Sequence, residues 1–315
     1  MQIIDAQLHD PAPWLEWPAD DLETRRRILT ELTLAWIDAL GIDAALLFPF
    51  DEEWAMDAAG QFPRRLGVVL EASASTPDLD GFVAGVKRQH ADGAVGLRAV
   101  ASALWSADST DLEELGSGPI DVDAQPDRDA IDRVRGGVFD ELFAACQRHQ
   151  VPLFFYLSGY LPLAGEVAER YPDLTLVVDH FGLRQPPVDQ RTTPPFKALP
   201  ELLALGRYPN VAVKFSGAPS LSEAPYPYPD LWPHLMQVVE AFGPERLMWA
   251  SDISRFYGRI GYTYRSESSQ GPYPGKHSYA EALHFILDTD ELSSDDKEWI
   301  LGGTARRLLN WPTTA

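Results

Sequence analysis

The sequence contains one cysteine, Cys146, and this scarcity limits the chemistry of the chain. A single cysteine cannot form a disulfide within the chain or supply a metal–thiolate cluster. Basic residues are also few, with 26 Lys and Arg against 47 Asp and Glu and a formal net charge of -21. Because such a charge repels a phosphate backbone and an anionic membrane surface, we expect no nucleic-acid or membrane partner.

Long apolar runs and targeting signals are missing as well. The longest apolar run, residues 151–157, is too short to span a bilayer. The opening Met1-Gln-Ile-Ile-Asp5 leads directly into a predicted strand, without the basic and apolar regions of a signal peptide. We therefore expect a cytoplasmic protein.

Three common catalytic or nucleotide-binding motifs are also missing. The sequence has no G-x-S-x-G elbow, no G-x-G-x-x-G between a strand and a helix, and no Walker loop. Serine hydrolases with such an elbow, Rossmann enzymes and P-loop proteins are therefore disfavoured.

The chain instead contains eight apolar segments typical of buried strands, with helical patterns between them. The segments lie at residues 3–9, 42–48, 66–72, 95–100, 151–157, 174–180, 211–216 and 247–252. One helical pattern runs through Ile131, Val134, Val138, Leu142 and Cys146. Eight alternating strands and helices predict a single α/β domain over residues 1–315, a (β/α)8 TIM barrel, because doubly wound sheets more often have five or six strands.

The predicted connections are polarised. Turns that lead from a helix into a strand are short, whereas several loops that leave the strands are long, which is the arrangement of a barrel active site. The longest loop, residues 101–125, is polar and acidic, and we interpret it as a possible lid.

Chemistry is expected at the carboxyl ends of the strands, where these loops can surround a ligand. Asp252 follows the last apolar segment and is the central candidate. Polar and aromatic residues at the predicted strand ends are Gln7, His9, Phe48, Glu71, Arg98, Tyr156, His180, Lys214, Ser216 and Asp252. Any one of them could merely close the barrel, but two imidazoles, a carboxylate and two cations at one mouth favour a functional site.

Five short motifs carry a family resemblance. They are Ile4-Asp5-Ala6-Gln7-Leu8-His9, Val178-Asp179-His180-Phe181-Gly182, Val213-Lys214-Phe215-Ser216-Gly217, Ala250-Ser251-Asp252 and the segment 302–309. In order and spacing they resemble the amidohydrolase superfamily, and more narrowly its amidohydrolase-2 branch of lactonases and aromatic-acid decarboxylases. The resemblance runs nearly end to end.

The sequence departs from the metal-dependent members of that family. Those members carry His-x-His or Glu-x-His on the first strand and a further histidine on the fifth, where this chain has Gln7-Leu8-His9 and Phe154-Phe155-Tyr156. His9, His180 and Asp252 remain as the only conventional ligand set for zinc or manganese. We therefore expect no obligatory metal, although an open three-ligand site stays possible.

The resemblance implies a lactonase that works without metal. Asp252 would take a proton from water, while His9 and His180 donate hydrogen bonds to the carbonyl of a lactone or similar cyclic ester of a carboxylic acid. Gln7 could add a neutral donor. The alternatives are a metal-dependent decarboxylase or hydratase of an aromatic-type acid, and a non-catalytic ligand-binding barrel.

Cationic and aromatic residues indicate a small carboxylate-bearing substrate and a role in aromatic compound catabolism. Arg98 is the best candidate to clamp a carboxylate, with an ion pair to Glu71 or another barrel acid as the alternative. Tyr156, Lys214, Arg184 and Arg255 are further candidates for substrate binding. Loop aromatics such as Tyr226, Tyr228 and Trp232 would either line the site or pack the loops. A homo-oligomer is compatible with the sequence.

Overall fold

A computed structural model of the chain describes residues 1–11, 21–73, 75–100, 128–157, 160–183, 194–253 and 277–311. Within these ranges eight parallel strands follow one another in a single sheet. They are β1 (Ile4–Leu8), β2 (Ala44–Leu47), β3 (Leu66–Glu71), β4 (Val95–Val100), β5 (Leu153–Tyr156), β6 (Leu176–Val178), β7 (Val211–Ser216) and β8 (Leu247–Ala250). The predicted (β/α)8 barrel is confirmed.

Helices connect the strands on the outside of this sheet. The helices described are α1 (Leu22–Ala39), α2 (Glu52–Gln61), α3 (Leu79–Gln89), α4 (Arg128–Arg135), α5 (Asp140–His149), α6 (Leu161–Arg170), α7 (Leu199–Ala204), α8 (Trp232–Phe242), α9 (Tyr279–Leu287), α10 (Ser294–Glu298) and α11 (Thr304–Leu309). Side chains fix several of their starts. Asp51 accepts a hydrogen bond from the Trp54 N–H, and Ser278 forms a reciprocal capping box with Glu281.

Alternation along the strands separates a barrel interior from an outer layer that faces the helices. Interior apolar residues include Ala44, Leu46, Val69, Phe154, Val177, Ala212 and Met248. The same parity places Arg98, Tyr156, Lys214 and Ser216 on the inner face, nearer the carboxyl ends of their strands. The barrel interior is thus apolar at its base and polar toward the mouth.

Strand β1 does not follow a strict alternation. Ile4 and Ala6 face the interior, yet Leu8 packs in the outer layer, and the pairing of β1 with β2 changes register between Asp5 and Leu8. A bulge of this kind puts two successive residues on one face of a strand. It therefore turns Gln7, and after it His9, toward the interior.

The first and last strands meet at a seam held largely by the Asp5 cluster, which we define as Asp5, Ser251 and Tyr279. One carboxylate oxygen of Asp5 accepts from the Ser251 N–H (2.8 Å), and the other accepts from the Ser251 hydroxyl (2.5 Å) and the Tyr279 hydroxyl (2.8 Å). The Asp252 N–H donates to the Gln7 carbonyl across the same seam (3.2 Å). A buried carboxylate thus positions the segment that carries Asp252.

Some predictions fall outside the described residues, namely the possible lid at 101–125, Arg184, Arg255 and several of the loop aromatics. No helix in the described ranges is both long enough and apolar enough to cross a bilayer.

Candidate active site

Asp252 lies just beyond β8 and is fully buried. Its backbone has φ of 50°, a left-handed conformation that asparagine and aspartate tolerate better than most residues. The Gln7 side-chain nitrogen donates to Asp252 Oδ1 at 3.1 Å. The carboxylate is therefore fixed from both its backbone and its side chain.

Two imidazoles flank this carboxylate, one at each oxygen. His9 Nε2 lies 3.3 Å from Oδ1, and His180 Nδ1 lies 3.8 Å from Oδ2. His9 Nδ1 is 2.6 Å from the carbonyl oxygen of Phe48, and because a carbonyl only accepts, this nitrogen carries a hydrogen. His180 Nδ1 is also 2.6 Å from the Ser216 hydroxyl.

A left-handed turn brings His180 to the site. Val177 and Asp179 share the interior face, so a regular strand would direct His180 outward with Val178. Instead φ is 51° at His180 and 58° at Phe181. Backbone strain of this kind concentrates at functional sites, and here it lets two adjacent residues, Asp179 and His180, both reach the interior.

A charged network continues from Asp252 across the barrel. The Lys214 ammonium donates to Gln7 Oε1 and lies 2.6 Å from Asp179 Oδ1. Arg98 Nε donates to the other oxygen of Asp179 at 2.9 Å. The order of contacts is therefore the Asp252 carboxylate, the Gln7 amide, the Lys214 ammonium, the Asp179 carboxylate and the Arg98 guanidinium.

Burial and charge shift the pKa values of these groups. Burial lowers the pKa of Lys214 to about 8, although the neighbouring Asp179 carboxylate favours the ammonium form. The rings of Phe48 and Phe154 lie 4.1 and 5.1 Å from its nitrogen. Burial opposes the charge of Arg98, but the Asp179 and Glu71 carboxylates outweigh it and raise the pKa of Arg98.

The Arg98 guanidinium is anchored at one end, and 13% of the side chain is exposed. Its Nε donates to Asp179, and its guanidinium carbon lies 5.2 Å from the ring centroid of Tyr156 and 5.6 Å from that of Phe48. No hydrogen bond joins its Nη nitrogens to another described residue. The ion pair with a barrel acid therefore forms with Asp179, and it leaves two nitrogens able to bind a carboxylate.

The residues do not fit a divalent metal ion. Within the described part of the chain, no three His, Cys, Asp or Glu side chains form a group suited to holding one. The only atom of the Gln7 side chain able to ligate a metal is Oε1, and it accepts from Lys214, while the Gln7 amide nitrogen faces Asp252. An amide N–H directed at the carboxylate and an adjacent ammonium both disfavour a cation there.

The structure brings together seven of the predicted site residues. They are Gln7, His9, Arg98, Tyr156, His180, Lys214 and Asp252. Lys214 is fully buried behind Gln7, so direct contact with a substrate stays a prediction. Tyr228 and Trp232 are buried and pack on Phe285 (6.1 and 5.9 Å between ring centroids). Of the two roles considered for these aromatics, this contact corresponds to packing of the loops.

Sequence reasoning gave no role to three residues of the site. Asp179 links the two cations, Asp5 holds the seam, and Phe50 stacks on His9 with 5.1 Å between ring centroids while remaining 42% exposed. Asp5 and Asp179 both lie in the motifs that carry the family resemblance, and that was the available signal. Phe50 follows the predicted second strand without any distinguishing pattern.

The comparison with family models decides the family. The model described as Amidohydrolase matches residues 4–311. The chain belongs to the amidohydrolase family. An L-fucono-1,5-lactonase from Burkholderia ambifaria is 38% identical over 108 residues, which is 32% of this chain and 34% of the lactonase. The match therefore spans about a third of that relative's length.

Solved structures of other proteins share the fold. A Pseudomonas putida protein assigned as a 2-pyrone-4,6-dicarboxylic acid hydrolase is 19% identical, with 99% of each chain covered and a TM-score of 0.62. A Burkholderia multivorans amidohydrolase with bound zinc is also 19% identical, with 99% of this chain and 100% of that chain covered and a TM-score of 0.64. At such identities these matches establish the fold alone.

Proposed function

We propose that this amidohydrolase opens a lactone, or a similar cyclic ester of a carboxylic acid, by hydrolysis. One observation carries the proposal: a buried carboxylate at the barrel mouth has an imidazole beside each of its two oxygens. The names of the relatives, an L-fucono-1,5-lactonase and a 2-pyrone-4,6-dicarboxylic acid hydrolase, support the same class of ring-opening substrate.

In the proposed reaction, Asp252 accepts a proton from the attacking water as the new carbon–oxygen bond forms. The lactone carbonyl oxygen becomes an oxyanion, and the bond between the carbonyl carbon and the ring oxygen then breaks. The leaving ring oxygen takes the proton from Asp252, so that the products are a hydroxyl and a carboxyl group. Asp252 returns to its ionised form.

The imidazoles stabilise the developing oxyanion. In the tautomer that this role needs, the Ser216 hydroxyl donates to His180 Nδ1, and His180 Nε2 carries the hydrogen that polarises the carbonyl. His9 already uses its Nδ1–H on the Phe48 carbonyl. It donates to a substrate through Nε2 only as an imidazolium; in the neutral ring, Nε2 accepts a hydrogen bond from the Gln7 amide (3.1 Å).

The proposed substrate carries a carboxylate because Arg98 can bind one. The guanidinium is anchored through Nε, so its two Nη nitrogens can form parallel hydrogen bonds to a carboxylate without first becoming ordered. Tyr156 packs under the guanidinium and against the His180 ring (5.7 Å between centroids), which connects the substrate clamp to the catalytic centre. We further propose a cytoplasmic enzyme of small-molecule, aromatic-acid catabolism.

The test is hydrolysis of carboxylate-bearing lactones, followed by proton release. Asp252→Asn keeps a side chain that accepts from Gln7 and tolerates the left-handed backbone, but it removes the base. We expect turnover to fall about 100- to 10,000-fold with the melting temperature nearly unchanged. Near-normal turnover in this variant would contradict the base role, and binding without turnover in the native chain would leave only the non-catalytic barrel.

A further inference from the structure

Lys214 is an unusual residue to find at the centre of a barrel, since its side chain is completely buried. Its ammonium contacts Asp179 and Gln7 and lies against the rings of Phe48 and Phe154. Burying a charge is costly unless it is paired and hydrogen-bonded, and here the Asp179 carboxylate pairs with the ammonium while Gln7 Oε1 accepts from it.

The ammonium determines which way the Gln7 amide faces. An amide can be turned to present either its oxygen or its nitrogen, but Lys214 can only donate, so Gln7 must direct Oε1 toward it. The Gln7 nitrogen then points away from Lys214, where it lies 3.1 Å from Asp252 Oδ1 and 3.1 Å from His9 Nε2. Its two hydrogens can serve both acceptors at once.

We propose that Lys214 is a positioning residue, which orients Gln7 as a donor to Asp252 and His9 and supplies the positive charge that a metal ion supplies in metal-dependent relatives. Near Asp252 the network contains two carboxylates, Asp179 and Asp252, and two cations, Lys214 and Arg98. Along the direct contacts from Asp252 to Arg98, two negative charges are thus matched by two positive charges without a divalent ion, and the side-chain oxygen of Gln7 accepts from Lys214.

The kinetic test rests on the proposed function and uses a double-mutant cycle on carboxylate-bearing lactones. Lys214→Met should lower kcat about 10- to 100-fold, as loss of an outer-shell partner does, with little change in KM. In a Gln7→Leu background the same substitution should change kcat less than about threefold, because Lys214 then has no Gln7 amide to orient. An undiminished loss in that background, or a change in KM alone, would overturn the positioning role.

A second test needs no substrate, so it decides the inference even if no lactone is hydrolysed. Gln7→Glu alone should take up little zinc, because Lys214 pairs with the new carboxylate. Gln7→Glu combined with Lys214→Met should bind close to one zinc per chain through the new carboxylate, His9, His180 and Asp252, measured by elemental analysis after dialysis. Circular dichroism and melting curves verify that both variants fold. Equal zinc uptake by the two variants, or none by the folded double variant, would overturn the replacement of a metal by Lys214.

Discussion

The Asp5 carboxyl group connects protonation to the stability of the seam. Burial raises its pKa from 3.8 to about 6, against the hydrogen bonds from Ser251, Tyr279 and Gln7 that lower it. The folded state therefore retains a proton that the unfolded chain releases near pH 4. The resulting stabilisation is complete below pH 4 and is lost as the pH rises through 6, a difference of roughly 3 kcal/mol.

We accordingly predict that native protein gains stability relative to Asp5→Asn as the pH falls from 7 to 4. Urea unfolding at several pH values should show the unfolding free energy of native protein rising relative to that of Asp5→Asn by roughly 2–3 kcal/mol over that range. Asp57→Asn, at an exposed position of α2, is the matched control. A difference that stays constant with pH would show that folding does not raise the pKa of Asp5.

Arg98 should distinguish substrates by charge. Arg98→Lys preserves a cation beside Asp179 but loses the planar pair of Nη donors, so KM for a carboxylate-bearing lactone should rise about 10- to 100-fold. A neutral lactone of the same ring size serves as the control, and its KM should hardly change. If KM rises equally for both substrates, Arg98 acts only through Asp179.

Individual site residues could be predicted where the side-chain alternation of a strand directs a residue near its carboxyl end toward the barrel interior. Arg98, Lys214 and Asp252 follow regular alternation, so their convergence is visible in the sequence. His180 was found only because it ends an apolar segment, since parity would direct it outward. The partnership of Lys214 with Gln7 was not predictable, because no local pattern links residues 207 positions apart.

At the scale of single elements, one glycine and one bulge account for two departures from the predicted pattern. The helical period through Ile131 and Cys146 continues across a break between α4 and α5, where Gly137 has φ of 90°. The bulge in β1 is equally hidden, because Ala6, Gln7 and Leu8 give no turn signal. Periodicity reports which residues are buried, and it does not report a local change in chain direction.

Packing of the C-terminal elements against β1 depends on Gly302. A Cβ atom there would lie 2.1 Å from the carbonyl oxygen of Gln2, so backbone has to move. Gly302→Ala should lower the unfolding free energy by roughly 1–3 kcal/mol. Gly60→Ala, in α2 with nothing within 4 Å of the added carbon, should instead stabilise by about 0.5–1 kcal/mol. Thermal and urea unfolding of the pair would detect either result, and equal effects would refute the close contact.

At the scale of the molecule, we predict that catalysis needs no metal. Prolonged chelation should leave lactone hydrolysis intact, and elemental analysis should find well below one ion per chain. The physical reason is that the Gln7 side chain directs an N–H group toward Asp252, where a metal ligand would have to present a lone pair. The Lys214 ammonium lies next to it. Stoichiometric zinc or manganese, with activity lost on chelation and restored by the ion, would favour the metal-dependent decarboxylase or hydratase.

The whole architecture was the most predictable level. Eight apolar segments alternating with helices leave few topologies, and the barrel follows from their number. The acidic composition decided only which partners to exclude, because net charge constrains association and not the fold. The inner charge network depends on side-chain directions that become fixed only after the barrel closes.

The seam between β1 and β8 also determines when the catalytic centre can form. Gln7 and Asp252 are 245 residues apart in the chain, and they meet only when the last strand docks on the first. Contacts of such long sequence range form late in folding, so an intermediate can collapse around most of its hydrophobic core and still lack a working centre. Recovered activity should therefore appear after the far-UV circular dichroism has reached its native value, which makes turnover a reporter of completed folding.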